Sequence, residues 1–179
     1  AVFDKPGIIK LYEIPDTGLT TSDETIAKKH TEKSEYAFRE TIIPTITLND
    51  VLGNNKNDVH FLKVDVEGAE QRVLSAIDLI NTRPWIIVVE ALEPISMHPN
   101  HHKWEFLLTD QRYDFVYFDG LNRFYLAEEH NERTKFFSTP PNIFDEFIKV
   151  SEHQKNAELI TKTEENRALQ VELTNKKEA

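Results

Sequence analysis

Phe61-Leu62-Lys63-Val64-Asp65-Val66-Glu67-Gly68-Ala69-Glu70 reads as a buried strand, an acidic turn and the opening of a helix. Phe61, Leu62, Val64 and Val66 form a short apolar run, as expected of a strand covered on both faces. Asp65 and Glu67 interrupt it at its carboxyl end, and Gly68 allows a sharp turn. From Ala69 a helix is predicted to about Asn81, with Ala69, Val73, Ala76, Ile77 and Ile80 on one apolar face. Ligands of open α/β sheets sit just outside the carboxyl ends of the strands. Asp65 and Glu67 therefore stand where chemistry is expected.

The pattern repeats downstream. Thr82-Arg83-Pro84 stops the helix, Trp85 to Val89 is the most apolar run in the chain, and Glu90 ends it. Two such strands joined by a crossover helix make a parallel βαβ unit. Pro94 to His102 is a loop, and Trp104, Phe106, Leu107 and Leu108 belong to a further helix. Tyr113 to Phe118 and Arg123 to Ala127 then form a hairpin around Asp119-Gly120-Leu121-Asn122.

Upstream, Ala1 to Phe3 and Ile8 to Tyr12 read as a hairpin across the turn Asp4-Lys5-Pro6-Gly7. Ser22 is a candidate cap for a polar helix running to about Lys33, placed at the surface near the site. Pro44 marks Glu40 to Thr47 as an edge strand or extended connector. Thr47 caps a short helix, Leu48 to Leu52, which Gly53 ends. Asn54 to Asp58 reads as a polar loop.

The 179 residues suffice for one sizeable core plus an appendage. A formal net charge of -10 argues against a nucleic-acid groove or an anionic membrane surface as the main partner. The chain has no cysteine, hence no disulfide framework and no thiolate zinc site. No apolar run approaches the roughly 20 residues of a membrane span, and no signal peptide is seen, so a cytoplasmic setting is expected. Val2-Phe3 follows Ala1 at once, which reads as entry into an established fold and hence as part of a longer protein.

Pro140-Pro141-Asn142 marks a boundary. A short helix with Ile143, Phe144, Phe147 and Ile148 is predicted to pack back on the sheet. From Ser151 helix formers dominate, with no Gly or Pro. Leu159 and Leu173 lie two heptads apart with Asn166 between them, and Ile160, Leu169 and Val171 add to the stripe. This is a solvated linker helix or a short coiled coil.

Several segments together resemble the FkbM-type methyltransferase family, which uses S-adenosyl-L-methionine. They are Lys63-Val64-Asp65-Val66-Glu67-Gly68-Ala69-Glu70, Arg83-Pro84-Trp85, Glu90-Ala91, and Tyr117-Phe118-Asp119-Gly120-Leu121-Asn122-Arg123-Phe124-Tyr125. Pro140-Pro141-Asn142 with Phe144-Asp145, and Thr17-Gly18-Leu19-Thr20-Thr21, are similar to the polysaccharide-biosynthesis subgroup. The resemblance covers about residues 1 to 148. It implies an α/β fold, the C-terminal part of a Rossmann-like class I methyltransferase sheet, with parallel strands, an antiparallel last strand and a C-terminal helical extension. The implied domains are a partial methyltransferase domain, 1–150, and a helical linker or short coiled coil, 151–179. The family's Gly-rich cofactor turn is not found: Gly7, Gly18, Gly53, Gly68 and Gly120 nowhere fall as Gly-x-Gly. Cofactor-binding residues thus stay unassigned. The first two strands are expected to be missing, and the isolated chain is expected to bind the cofactor weakly and to be inactive. Its 59–65 strand would be an exposed edge, prone to self-association unless the Ile42–Thr47 segment covers it.

Asp65, Glu67 and Glu90 are the candidate catalytic residues. O-methyl transfer needs a base for the hydroxyl proton, or a metal that acidifies it. Alternatively, Asp65 and Glu67 merely cap the helix at Ala69. Thr21, His98, Asn122 and Arg123 are candidate substrate contacts. His98, His101 and His102 could join Glu90 around a divalent metal, or be plain loop residues; no metal ligand set is assigned. His30 could face the same cleft. Lys63 is expected to pair with a carboxylate, Glu70 to be structural, and Trp85 and Trp104 to be core. The function expected is O-methyl transfer to a sugar hydroxyl in bacterial glycan biosynthesis. Expected partners are a glycan acceptor, a downstream glycosyltransferase domain, or a second copy through 151–179. The rival readings are a non-catalytic interaction module on a degenerate methyltransferase fold and, more distantly, a metal-dependent hydrolase.

Overall fold

The computed structural model describes residues 1–32, 37–53, 58–145 and 148–178. The chain divides into two units, Ala1–Ser138 and Thr139–Ala179.

The first unit holds two sheets. In the larger, strands β3 (Phe61–Val64), β4 (Ile86–Glu90), β5 (Tyr113–Phe118) and β6 (Asn122–Ala127) are ordered β3-β4-β6-β5. β3 and β4 are parallel, Val64 beside Val89, and β6 runs antiparallel to both β4 and β5. Three strands thus point one way and the last lies reversed between two of them. This mixed sheet with flanking helices is consistent with the Rossmann-like class I methyltransferase arrangement that the family resemblance implies. One face carries the core: Val64, Ile87, Val89 and Tyr125 pack with Val73, Leu74, Trp104 and Leu108. Burying each such side chain contributes about 1.5–3 kcal/mol.

The smaller sheet pairs β1 (Gly7–Glu13) antiparallel with β2 (Arg39–Thr45). This corrects the hairpin expected of Ala1–Phe3 and β1. Val2 bridges Ile46 instead, and the Thr45 hydroxyl donates to the Lys5 carbonyl at 2.8 Å, tying the Pro6-Gly7 turn to β2. A local turn signal marks a bend but does not select the partner strand. Because Ile42–Thr45 belongs to β2, that stretch does not cover β3, which stays at the edge of its sheet.

Helix α1 (Glu24–Glu32) is capped by Asp23, not Ser22: the Asp23 carboxylate accepts from Thr25 N at 2.7 Å and Ile26 N at 3.1 Å. Lys33 lies outside the described residues. The helix buries Ala27 and His30, so it is not merely a surface element. Helix α2 (Leu48–Leu52) has the expected Thr47 cap, closed into a capping box by Asp50.

Helix α3 spans only Glu70–Leu74, where a helix to about Asn81 was expected. Ser75 Oγ donates to the Arg72 carbonyl, and the Asp78 carboxylate accepts from Ile80 N, Asn81 N and Asn81 Nδ2. Such local bonds offer the backbone an alternative to the helix. Ala69 and Val73 still face the core, but Ile80 is 74% exposed. β3 is likewise not covered on both faces, since Phe61 is 56% exposed. After β4 come a 3₁₀ turn, His101–Lys103, and helix α4 (Phe106–Thr109); a kinked 3₁₀ segment, Glu128–Phe137, closes the unit.

The second unit carries helix α5 (Val150–Glu178). It is not part of a coiled coil, which corrects the heptad reading. Residues 150–167 are exposed on every side, Leu159 at 69% and Ile160 at 61%. Phe144 and Ile148, expected to pack on the sheet, are exposed; Phe147 lies outside the described residues. Among the described residues no helix is long and apolar enough to cross a membrane.

Candidate functional site

The site forms where β3 and β4 end. One residue past the Val64/Val89 pair, Asp65 and Glu90 come side by side because parallel strands in this register carry their tips to the same edge. Glu67 joins them, and one carboxylate oxygen from each lies within 4.8 Å of the others. Lys63, two residues before Asp65 and so on the same face of the strand, donates to Asp65 Oδ2 at 2.6 Å. Asn122 stands directly across from Glu90 on β6 and is held by Asp119, which accepts from its backbone and side-chain nitrogens at 2.6 and 3.0 Å.

Glu67 reaches the cluster through a strained loop. Its φ is 48° and that of Gly68 is 96°, and a non-glycine residue in the left-handed region costs roughly 1–3 kcal/mol. Three contacts hold the conformation. The buried Thr21 hydroxyl donates to the Glu67 carbonyl at 2.9 Å. Gly68 N donates to Glu70 Oε1 at 3.0 Å. Imidazole Nε2 of His30, from α1, lies 3.7 Å from Glu67 Oε2. At Gly68 a Cβ would fall 2.7 Å from Ile26 Cδ1. Gly68→Ala is therefore expected to lower stability by roughly 1–3 kcal/mol, read as a fall in the thermal midpoint; an unchanged midpoint would mean that the loop relaxes freely.

Crowded acids resist ionising together. Burial, then the charges of Asp65, Glu67 and Glu70, pushes Glu90 up to about 8. Burial also raises Glu67, with Asp65 and Glu70 adding to the effect, and raises Glu70, which is 2% exposed. The bond to Asp65 raises the Lys63 ammonium. Burial lowers the His30 imidazole. The three carboxylates are close enough either to share a proton or to hold one divalent cation.

The substrate candidates divide. Asn122 is beside Glu90. Arg123, the next residue on the strand, is turned to the other face, where it donates to Glu105 Oε1 at 2.7 Å and Tyr125 Oη at 2.9 Å and stacks on Phe115. The Thr21 hydroxyl is engaged in holding the Glu67 loop. His98 lies against Ser96, and among the described residues His98, His101 and His102 do not join the carboxylate cluster. Lys63 pairs as expected, and Trp104 is core, 1% exposed. The sequence reading missed Asp119 as the residue that fixes Asn122; its position at the turn, three residues ahead of Asn122, was the available signal.

The family model described as the methyltransferase FkbM domain matches residues 1–117. The chain belongs to the FkbM methyltransferase family. No curated protein and no solved structure gives a significant match. FkbM membership implies a methyltransferase that depends on S-adenosylmethionine. No two of the chain's glycines fall as Gly-x-Gly, and the open side of Gly68, at the tip of β3, is filled by Ile26.

Proposed function

We propose that this FkbM protein catalyses O-methyl transfer to a sugar hydroxyl of a bacterial glycan, with the Asp65–Glu90 carboxyl pair as the proton acceptor. Methylating an oxygen leaves its proton to be removed, and a base tuned near the working pH does this best. The observation that carries the reading is the convergence of Asp65, Glu67 and Glu90 within 4.8 Å. Lys63 orients Asp65, Asn122 flanks Glu90, and the Thr21–Glu67 bond holds the third carboxylate in place. The test is isotope-labelled methyl transfer by the protein as the cell makes it, compared with Asp65→Ala and Glu90→Ala. Unchanged rates in both variants would remove the pair from the mechanism.

The chain by itself is proposed to bind S-adenosylmethionine weakly, supported by the lack of a glycine-rich turn. Calorimetric titration should show little or no heat of binding, and tight binding would overturn this point. A second reading, favoured by the same three-carboxylate geometry, puts a divalent cation in place of the shared proton. On that reading magnesium or manganese raises the thermal midpoint of the wild type but not of Glu90→Gln.

A further inference from the structure

We infer that the cavity beside the β3–α3 loop is the acceptor subsite, and that it takes an uncharged or amine-bearing sugar ring in preference to an anionic one. The inference rests on the acceptor reading above and extends it to the charge class of the substrate. The cavity measures about 580 Å³, within the roughly 300–1,000 Å³ of small-molecule sites. Both loops that leave the strand tips run into it. Glu67 belongs to the carboxylate cluster, while Gly68 and Glu70, one and three residues on, line the cavity; Glu90 ends β4, while Glu93 and Pro94, three and four residues on, line it too. A ring in the cavity is thus bounded by the same loops that position the acids.

The walls combine two chemistries. Ile26, Pro94 and Ile95 offer apolar surface for the C–H face of a ring. Ile95 is β-branched yet has φ 61°, an outlier of the kind that clusters at ligand clamps. The charged groups are Asp23, Glu32, Glu70 and Glu93 against Lys29 and Lys103. Lys103 is bonded to Glu93 at 2.9 Å, which leaves the Asp23 and Glu32 carboxylates facing the single ammonium of Lys29, with the buried Glu70 carboxyl behind them. Such a field repels phosphate and carboxylate and attracts an ammonium group. The other large hollow, about 510 Å³ at the amino ends of the strands, offers no such selection, because its Arg83 and Arg112 are already paired with Glu129 and Glu128.

Saturation-transfer NMR on the full chain tests this with four probes: methyl glucoside, the methyl glycosides of glucosamine and glucuronic acid, and glucose 1-phosphate. Transfer is expected to the first two and little or none to the anionic pair. Glu32→Lys, at an exposed position on α1, and Glu93→Gln should each weaken the glucosamine probe about three- to tenfold. Tighter binding of either anionic probe, no transfer to any probe, or probe binding unmoved in both variants would overturn the inference. Methyl-transfer assays separate its fate from that of the reaction. Sugar binding without transfer supports the subsite and sinks the O-methyl reading; transfer without sugar binding does the reverse.

Discussion

Glu90→Gln lowers methyl transfer by the protein as the cell makes it about 10²–10⁴-fold, the range expected for loss of a positioned general base. Glutamine keeps the size and the hydrogen-bonding capacity of the side chain but cannot accept the proton. The pH dependence separates this from a packing defect. Glu90 is pushed from its ordinary 4.5 up to about 8, first by burial and then by Asp65, Glu67 and Glu70. The wild-type rate should therefore rise as the pH passes through about 8, and the variant should lose that limb. Stability runs the other way. A carboxyl whose folded value lies above its unfolded one stabilises the fold fully below 4.5, and that contribution fades as the pH climbs through 8. Thermal midpoints measured between pH 5 and 9 should fall for the wild type and stay flatter for Glu90→Gln. Parallel midpoint curves would remove Glu90 as the titrating group.

Trp104→Ala destabilises the first unit by about 3–5 kcal/mol. The indole is 1% exposed, packs edge-on to Tyr125 with centroids 5.8 Å apart, and its Nε1 faces Asn100 Oδ1 at 3.4 Å. Its removal leaves a cavity under the sheet and takes away that donor. At about 2–4 °C per kcal/mol for a chain of this size, the midpoint should drop on the order of 10 °C. A drop below 2 °C would mean that the core collapses into the space. Because Trp104 also lines the cavity proposed as the acceptor subsite, Trp104→Phe is the informative partner: it keeps most of the volume and should recover most of the stability.

The parts of the site that were legible in the sequence are those encoded within a few residues. The acidic tips of two apolar runs identified Asp65 and Glu90, and Thr47 was legible as the cap of a short helix. Other parts depended on distant residues. Thr21 was a candidate substrate contact because Thr17-Gly18-Leu19-Thr20-Thr21 resembles a loop of the polysaccharide-biosynthesis subgroup, yet its hydroxyl's partner is a carbonyl 46 residues away. Asn122 and Arg123 looked equivalent in a turn; β6 begins at Asn122, so alternation sends them to opposite faces. The heptad spacing of Leu159 and Leu173 suggested a coiled coil, but spacing alone does not supply the second helix that an apolar seam needs.

Taken alone, the residue order determined the parallel β3–β4 pair, the β5–β6 hairpin and the acids at the strand tips, since periodicity and turn chemistry act locally. Tertiary structure alone decided that β1 pairs with β2 and that Glu67 is drawn in beside Asp65 and Glu90. Those outcomes turn on contacts between segments far apart in the chain, whose energies no local pattern records.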